Sequence, residues 1–261
     1  MLLGKIFKNI NKKYKSIKFN NITFNSRDCA INDIFFAISG NYSNGNNYIN
    51  HAIKNGAKII ISDLKFQGFN KNKILFIRTK NPRKLLSEAA SNFYKSKPNN
   101  IIAITGTNGK TSIANFYYQI LSLNNIKVAS IGTLGILSKK FKQNTKNTTI
   151  DPIKIHKVLK KLKDLKIDNV ILEASSHGLK QHRLDGVKFD TGLFTNFSRD
   201  HLDYHKSFKD YFDSKMILFN KLMKKNSHVI YDSNILESKK IETIIKMKKL
   251  KHCCLGNKKS D

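Results

Sequence analysis

The sequence predicts an α/β protein with a small N-terminal α/β domain and a second domain built on a doubly wound, mostly parallel sheet. Short runs of strand character alternate with amphipathic helical patterns along most of the 261 residues. A polar, proline-containing stretch at 95–100 interrupts this alternation and has the composition of a linker. Directly after it, a strand passes through a glycine-rich turn into a helix at 101–111, which is typical of a phosphate-binding loop. We therefore expect domains at 1–97 and 98–261.

In the first domain, β-branched and aromatic runs predict four short strands. A helix is expected to end at Gly56, because glycine readily adopts the left-handed conformation that closes many helices. Pro82 begins a further helix, which carries an apolar stripe at helical spacing. The predicted strands lie at 22–24, 34–38, 58–61 and 74–77, and the predicted helices at 48–55 and 82–94.

In the second domain, strands are predicted from 101 and at 128–131, 169–173 and 191–195. Helices are predicted at 111–123, at 152–165 and from 207, and a lysine-rich helical pattern follows residue 232 and continues to 258–259. Ligands of doubly wound sheets bind at the carboxyl ends of the strands. The polar residues at 106–111 and 196–205 each follow a predicted strand, and Glu173 ends another. We therefore expect all of them at one edge of the sheet.

The chain has a formal net charge of +30, from 48 Lys and Arg against 18 Asp and Glu. Only five of these cations are arginine, the residue that nucleic-acid readers favour, and no nucleic-acid-binding motif occurs. We interpret the charge as a compositional bias toward lysine and expect no nucleic-acid partner. No apolar run is long enough for membrane insertion. The three cysteines lack disulfide or metal-ligand spacing and fit a reducing cytoplasm. Separately, we expect the protein to be a monomer.

The glycine-rich turn reads T-G-T-N-G-K-T at 105–111. Glycines let backbone N–H groups turn toward an anion, Lys110 can reach the outer phosphates, and the Thr111 hydroxyl can hold Mg²⁺. The motif departs from a Walker A sequence, because Ile104 stands where its first glycine would fall and the glycine lies at Gly106. An ordinary glycine turn is the alternative. The strand, loop and helix context favours a nucleoside triphosphate site.

Glu173 ends the apolar run N-V-I-L-E, where a carboxylate can face Mg²⁺ at the neighbouring phosphate loop. A surface carboxylate or an ion-pair partner is the alternative. The segment that follows is dense in hydrogen-bonding side chains, which suits a polar, anionic ligand. A Ser–His hydrolytic pair also stays open, although no G-x-S-x-G elbow supports it. The side chains in question are Ser175, Ser176, His177, Gln181, His182 and Arg183.

Two further features concern metal binding. The loop at 195–205 holds two aspartates and two histidines, which are candidate metal ligands or members of a solvated loop: Asp200, His201, Asp203 and His205. Downstream, a capping box at 207–210 begins a helix, and Lys215 lies within its apolar stripe. Burial would lower the pKa of this lysine and leave an amine that CO₂ can convert to a carbamate, an anionic metal ligand. A lysine that snorkels at the rim of the core is the alternative.

Together these motifs resemble the Mur ligases, ATP-dependent amide-forming enzymes of peptidoglycan synthesis. The sequence at 105–111 is shared with the wider superfamily, including folylpolyglutamate synthases. Three other motifs resemble those members that add meso-diaminopimelate or L-lysine to UDP-N-acetylmuramoyl-L-alanyl-D-glutamate (UDP-MurNAc-L-Ala-D-Glu). They are N-T-T-x-D-P at 147–152, E-x-S-S-H-G-L-x-Q-H-R at 173–183 and T-N-x-S-R-D-H-L-D-Y-H at 195–205.

The resemblance implies roles for individual residues. The ATP phosphates would contact Gly106, Thr107, Asn108, Gly109, Lys110, Thr111 and Ser112. Thr111 and Glu173 would hold one Mg²⁺, and His201 would hold a second Mg²⁺ together with carbamylated Lys215. Lys110 and Lys215 would be the catalytic residues. The uridine end of the substrate would contact Ser26, Arg27, Asn41, Tyr42 and Ser43. The muramoyl-dipeptide end would contact Asn147, Thr148, Thr149, Ser175, Gln181 and Arg183. Asn25 and Asn46 depart from the family pattern, which usually has Asp and His there.

The implied reaction transfers the ATP γ-phosphoryl group to the D-glutamate carboxylate, and the amine of the diamino acid then attacks the acyl phosphate. The D-N-P-R signature of the amino-acid-binding domain does not occur in this sequence. We therefore expect that domain to be missing and this polypeptide alone to be inactive. Two alternatives stay open: another ligase of the superfamily, such as a folylpolyglutamate synthase, and a non-catalytic module that binds a UDP-sugar or nucleic acid.

Overall fold

Residues 1–40, 43–200 and 203–256 are described by a computed structural model of the chain. The chain divides into two units, Met1–Lys95 and Ser96–Asp261. Each unit has its own sheet and its own cluster of buried apolar side chains.

The first unit is an α/β layer structure. Its strands are β1 (Ile22–Thr23), β2 (Ile34–Phe36), β3 (Ile59–Ser62), β4 (Gly68–Phe69) and β5 (Leu75–Arg78). The sheet order is β1-β2-β3-β5-β4, and the pairs are parallel except that β4 is antiparallel to β5. The helices are α1 (Leu3–Ile6), α2 (Ile49–Lys54) and α3 (Pro82–Phe93). The four predicted strands and two predicted helices are confirmed, with small shifts of their ends, and β4 was not predicted.

Local chemistry explains the helix ends of this unit. Gly56 has φ +108°, and an added Cβ would lie 2.8 Å from the backbone of Ile31, so glycine is required at this close approach. The Asn81 side chain accepts a hydrogen bond from Lys84 N and caps α3, and Pro82 occupies the first helical position.

The second unit is built on an eight-stranded sheet. Its strands are β6 (Asn100–Thr105), β7 (Val128–Gly132), β8 (Gly135–Ser138), β9 (Lys142–Gln143), β10 (Asn169–Glu173), β11 (Phe189–Phe194), β12 (Met223–Asp232) and β13 (Lys251–Leu255). The order is β13-β12-β11-β6-β10-β7-β8-β9. The pairs from β13 to β7 are parallel, and β8 and β9 extend the sheet as an antiparallel hairpin that the sequence analysis did not predict.

Helices cover both faces of this sheet, which confirms the predicted doubly wound architecture. They are α4 (Lys110–Leu123), α5 (Pro152–Asp164), α6 (Ser176–Lys180), α7 (Phe208–Ile217) and α8 (Ser238–Lys248). Ile101 and Ala103 of β6 pack in the large core that includes side chains of α5, α7 and α8. Ile104 instead packs with Ala114 of α4. Alternation along one strand therefore supplies both layers of the core.

Two predictions in this unit need correction. Ser207 caps α7 by accepting a hydrogen bond from Asp210 N at 3.1 Å, as expected, but the Asp210 carboxylate accepts from Lys206 N instead of Ser207 N. The capping box is thus only half formed. The lysine-rich helical pattern ends early, because Lys249 adopts a left-handed conformation (φ 52°) and β13 follows. Among the described helices, none has the length and apolar character that a membrane span requires.

Candidate active site

The phosphate loop joins β6 to α4 at the carboxyl edge of the sheet. Gly106 has φ +140°, and an added Cβ would lie 1.9 Å from Thr195 Oγ1. Gly109 has φ +81° and precedes the first residue of α4. A side chain at either position would strain the backbone, because residues with a Cβ rarely adopt these angles. The two glycines therefore determine the course of the loop.

The segment after β11 holds this loop in place. Thr107 N donates to Asn196 O at 3.0 Å, and Asn108 N donates to Asn196 Oδ1 at 2.8 Å. Thr195 Oγ1 donates to Asn108 O at 2.7 Å. The predicted convergence of the loop with the segment at 196–205 is confirmed for this part of the segment.

The Lys110 ammonium lies against the loop itself. Its Nζ atom donates to Gly106 O at 2.9 Å and to Thr107 O at 2.6 Å. Burial lowers the pKa of Lys110, and the negative charges of Glu173 and Asp200 oppose that shift. Two backbone carbonyls thus hold the cation beside the cradle.

Glu173 lies next to the loop, at the end of β10, and is only 2% exposed. Thr111 Oγ1 donates to Glu173 Oε2 at 2.8 Å, so the hydroxyl and the carboxylate predicted to bind Mg²⁺ are in contact. Thr133 also holds the carboxylate, through its N atom at 2.9 Å from Oε1 and its Oγ1 atom at 3.2 Å from Oε2. Sequence reasoning missed Thr133, although its place directly after β7 was an available signal.

The predicted residues for the muramoyl-dipeptide end meet on the other side of Glu173. Thr149 Oγ1 donates to Glu173 O at 2.8 Å and accepts from Ser175 N at 2.9 Å. Arg183 Nη1 donates to Thr149 O at 2.6 Å, and its Nη2 atom donates to Gln181 Oε1 at 2.8 Å. The structure therefore joins Thr149, Ser175, Gln181 and Arg183 in one network.

Three other predicted residues lie at the edges of this region. Thr148 Oγ1 lies 3.0 Å from Thr133 Oγ1, which links it to the surroundings of Glu173. Asn147 is exposed, and its carbonyl accepts from Thr145 Oγ1 at 3.3 Å. Ser112 is exposed in the first turn of α4.

Lys215 points into the core, as its position in the apolar stripe predicted. It is 1% exposed, and its Nζ atom donates to Gly106 O at 2.6 Å and lies 4.3 Å from the centre of the Tyr211 ring. Burial, with a smaller effect from the Lys110 charge, lowers its pKa to about 7, against an opposing effect of Asp200. The lysine does not snorkel at the rim of the core.

Of the aspartates and histidines after β11, the three that the structure describes, Asp200, Asp203 and His205, do not form a shared metal-binding cluster. His205 is buried, with Nε2 3.0 Å from Ser176 Oγ and Nδ1 3.5 Å from Asp210 Oδ2. Asp200 and Asp203 are exposed, and His201 lies outside the described residues. Among the described residues, no group of three or more His, Cys, Asp or Glu side chains is placed to hold a metal ion.

The Ser176–His205 pair has hydrogen-bonding geometry but no access. Both residues are only 2% exposed, so a substrate carbonyl cannot reach the serine in this structure. Burial, aided by the charge of Lys180, lowers the pKa of His205. The pair ties α6 to the segment that precedes α7.

The predicted uridine contacts belong to the first unit. Ser26 is buried, with Oγ 3.0 Å from His51 Nδ1, whereas Arg27 and Ser43 are exposed. Asn41 and Tyr42 lie outside the described residues. The two departures from the family pattern both have local partners. Asn25 Oδ1 accepts from Arg27 N at 3.2 Å, a role that Asp also fills, and Asn46 Nδ2 donates to Asp63 Oδ1 at 2.8 Å.

A glycine-bent loop between a parallel strand and a helix at the carboxyl edge of the sheet, with a hydroxyl and a carboxylate beside it, defines an α/β fold of the P-loop type. The Mur ligase middle domain model matches residues 104–261, and a second model, Mur ligase family, catalytic domain, matches 18–94. The chain belongs to the Mur ligase family.

Two curated relatives carry the name UDP-N-acetylmuramoyl-L-alanyl-D-glutamate--2,6-diaminopimelate ligase. The protein of Clostridium tetani (strain Massachusetts / E88) is 39% identical over 236 residues, which are 89% of this chain and 48% of the relative. The protein of Wigglesworthia glossinidia brevipalpis is 39% identical over 266 residues, covering 94% of this chain and 53% of the relative. The chain thus spans about half the length of the curated relatives it matches.

A solved structure titled as a UDP-N-acetylmuramoyl-L-alanyl-D-glutamate--2,6-diaminopimelate ligase has the same fold. The TM-score is 0.81 at 24% identity, over 97% of this chain and 52% of the solved chain. The match shows that the two proteins share this fold.

Proposed function

We propose that this chain binds ATP with Mg²⁺ and UDP-MurNAc-L-Ala-D-Glu, as the nucleotide and acceptor-substrate part of a ligase that adds diaminopimelate. One observation carries the proposal. Glu173 contacts Thr111 of the phosphate loop through its side chain and Thr149 of the predicted dipeptide network through its backbone carbonyl. A single strand end thus brings the two predicted subsites together. The names of the relatives support diaminopimelate as the added amino acid.

We assign the two ends of the acceptor to different domains. Residues 1–97 would bind the uridine diphosphate end, and residues 98–261 would bind ATP and the dipeptide end. The three cysteines are free, and Cys29 is buried, which supports the expected cytoplasmic location.

The residues beside the loop fit Mg²⁺. Thr111 and Glu173 offer a hydroxyl and a carboxylate, and Mg²⁺ prefers such oxygen ligands together with phosphate oxygens and water. Bound Mg²⁺ would neutralise charge on the phosphates during transfer. Carbamylated Lys215 would serve a second Mg²⁺ together with His201. The inward ammonium and its lowered pKa support this role for Lys215.

The side chains of this chain would act mainly by position and charge. Lys110 would exchange its two backbone carbonyls for phosphate oxygens, because both lie at the mouth of the same loop. Arg183, which is held by Gln181 and Thr149, would orient the D-glutamate carboxylate toward the γ-phosphoryl group. The acyl phosphate formed there would then be attacked by the amine of the diamino acid.

Isothermal titration calorimetry of the 261-residue chain tests this function. We expect saturable binding of ATP that depends on Mg²⁺, and binding of UDP-MurNAc-L-Ala-D-Glu that weakens strongly in Arg183→Lys, since lysine lacks the guanidinium fork. Failure of both ligands to bind, with a folate or RNA bound instead, would overturn the proposal.

A further inference from the structure

Tyr211 lies between the phosphate loop and Lys215, and the function proposed above does not use it. The residue is 0% exposed and lies one turn before Lys215 on α7. Its hydroxyl donates to Thr107 Oγ1 at 3.3 Å, and its ring centre lies 4.3 Å from Lys215 Nζ. The Tyr211 side chain therefore contacts the phosphate loop through its hydroxyl and Lys215 through its ring.

In the phosphate loop, Thr107 takes part in several hydrogen bonds. Its Oγ1 atom accepts from Ser198 N at 3.1 Å and donates to Ser198 O at 3.3 Å, and its backbone carbonyl accepts from Lys110 Nζ. The Tyr211 hydroxyl adds a bond from the helix that carries Lys215. The loop is thereby fixed to two segments that lie far from it in sequence.

On the lysine side, the ring of Tyr211 has a fixed orientation. It stacks on Phe197 with centroids 5.2 Å apart and an interplanar angle of 29°, and it lies 5.0 Å from the His205 ring. Its face meets the Lys215 ammonium, an arrangement that attracts a cation to the electron-rich ring. Lys215 in turn donates to Gly106 O, the neighbour of Thr107 in the loop.

We infer that Tyr211 is a positioning residue that fixes the phosphate loop and Lys215 relative to each other before nucleotide binds. The inference rests on the proposed function, because it assumes that the loop receives nucleotide phosphates. A loop that is already ordered loses less conformational freedom on binding and therefore binds more tightly.

A double-mutant cycle on the whole chain tests this. Tyr211→Phe keeps the ring and removes the hydroxyl, and Thr107→Val removes its acceptor. We expect Tyr211→Phe to weaken ATP·Mg²⁺ binding by about 3- to 10-fold, the effect of one hydrogen bond. In the Thr107→Val background the same change is expected to have no further effect, since the shared bond is already lost. Tyr231→Phe is the matched control, because Tyr231 is buried and its hydroxyl donates at the same 3.3 Å to Glu242.

A second measurement does not depend on nucleotide. Without ligand, hydrogen exchange of the amides at 106–109 is expected to accelerate in Tyr211→Phe and to stay unchanged in Tyr231→Phe, with thermal unfolding confirming that both variants are folded. The inference would be overturned if hydrogen exchange at 106–109 were unchanged in Tyr211→Phe. It would also be overturned if the affinity losses of Tyr211→Phe and Thr107→Val were additive, or if Tyr231→Phe lost as much ATP affinity as Tyr211→Phe. If the unaltered chain does not bind ATP, the proposed function fails, and the exchange measurement still decides the role of Tyr211.

Discussion

At the residue scale, environment distinguishes Lys215 from the many exposed lysines of this chain. Its ammonium is buried against an aromatic ring and beside another lysine, and its pKa of about 7 leaves much of the amine unprotonated near neutral pH. The unprotonated amine is the form that reacts with CO₂.

We therefore predict a carbamate on Lys215. Native mass spectrometry in bicarbonate buffer is expected to show an added mass of one CO₂, which Lys215→Ala abolishes. Lys97→Ala is the control and should keep the added mass, because burial also lowers the pKa of Lys97, whose charge acts on His156. Identical native masses for the unaltered chain and Lys215→Ala would rule out the carbamate.

Glu173 permits a prediction on metal dependence. Glu173→Gln keeps a polar side chain of the same size and removes the charge, so it should reduce the gain in ATP affinity that Mg²⁺ provides by about 10-fold or more. Affinity measured in EDTA is expected to change little. Glu242→Gln, at a carboxylate that accepts from Tyr231, is the control. An undiminished Mg²⁺ effect in Glu173→Gln would exclude this carboxylate as a ligand.

His156 predicts a pH effect on stability. It is 0% exposed, and burial lowers its pKa to about 3 from 6.5. Between these values the unfolded chain binds a proton that the folded chain does not, so the free energy of unfolding falls as pH falls from 6.5 toward 3.

His156→Leu removes this contribution. As the pH falls below 6.5, the free energy of unfolding of His156→Leu minus that of the unaltered chain is expected to increase by about 1.4 kcal/mol per pH unit. Urea unfolding at pH 7, 6 and 5 measures the difference, with the pH values chosen to span the upper part of the window. A difference that does not vary with pH would show that His156 does not stay neutral in the folded chain.

At the scale of elements, α7 contributes two side chains to the candidate active site, because it carries both Tyr211 and Lys215. Its first turn depends on the Ser207 side chain, which accepts from Asp210 N. The apolar residues that follow bury the helix against the sheet, as Phe212 and Met216 are both members of the large core.

Removal of the cap should therefore weaken the helix at its start. Ser207→Ala is expected to lower the free energy of unfolding by about 1 kcal/mol, and Ser207→Asp, which also accepts from the backbone, should restore most of it. Urea unfolding of the three chains provides the comparison. An unchanged free energy of unfolding in Ser207→Ala would mean that the cap contributes nothing.

At the scale of the whole molecule, charge is the dominant feature. A net charge of +30 on 261 residues produces self-repulsion that opposes the compact state. The described ion pairs, such as Lys84–Glu88 and Lys160–Asp164, are mostly on the surface and offset little of it.

Salt is therefore expected to stabilise this protein. Raising NaCl from about 0.05 M to about 0.5 M shortens the screening length and should raise the thermal unfolding midpoint by several degrees. Sucrose at the same osmolality, which does not screen charge, is the control for preferential exclusion. A midpoint that falls with salt would show that attractive ion pairs outweigh the repulsion.

Much of the fold could be predicted because its signals are local. Gly56, Pro82 and the strand–loop–helix at 101–111 act through neighbouring residues, and their elements form where expected. The hairpin of β8 and β9 was missed, because its strands are short and pair with each other and with β7 only in three dimensions. The sequence predicted a complete capping box at 207–210, and only half of it forms. The reason is again a contact made in three dimensions, since Asp210 also pairs with Lys180 of α6.

By itself the sequence determined the doubly wound class, the glycine loop, and the place of Lys215 within an apolar stripe, because periodicity and backbone freedom are written residue by residue. Only the tertiary structure decided which groups meet. It placed Thr133 on Glu173, Tyr211 between Thr107 and Lys215, and His205 in a buried contact with Ser176. These contacts depend on strand order and helix packing, which bring together residues that are far apart in the chain and leave no pattern along it.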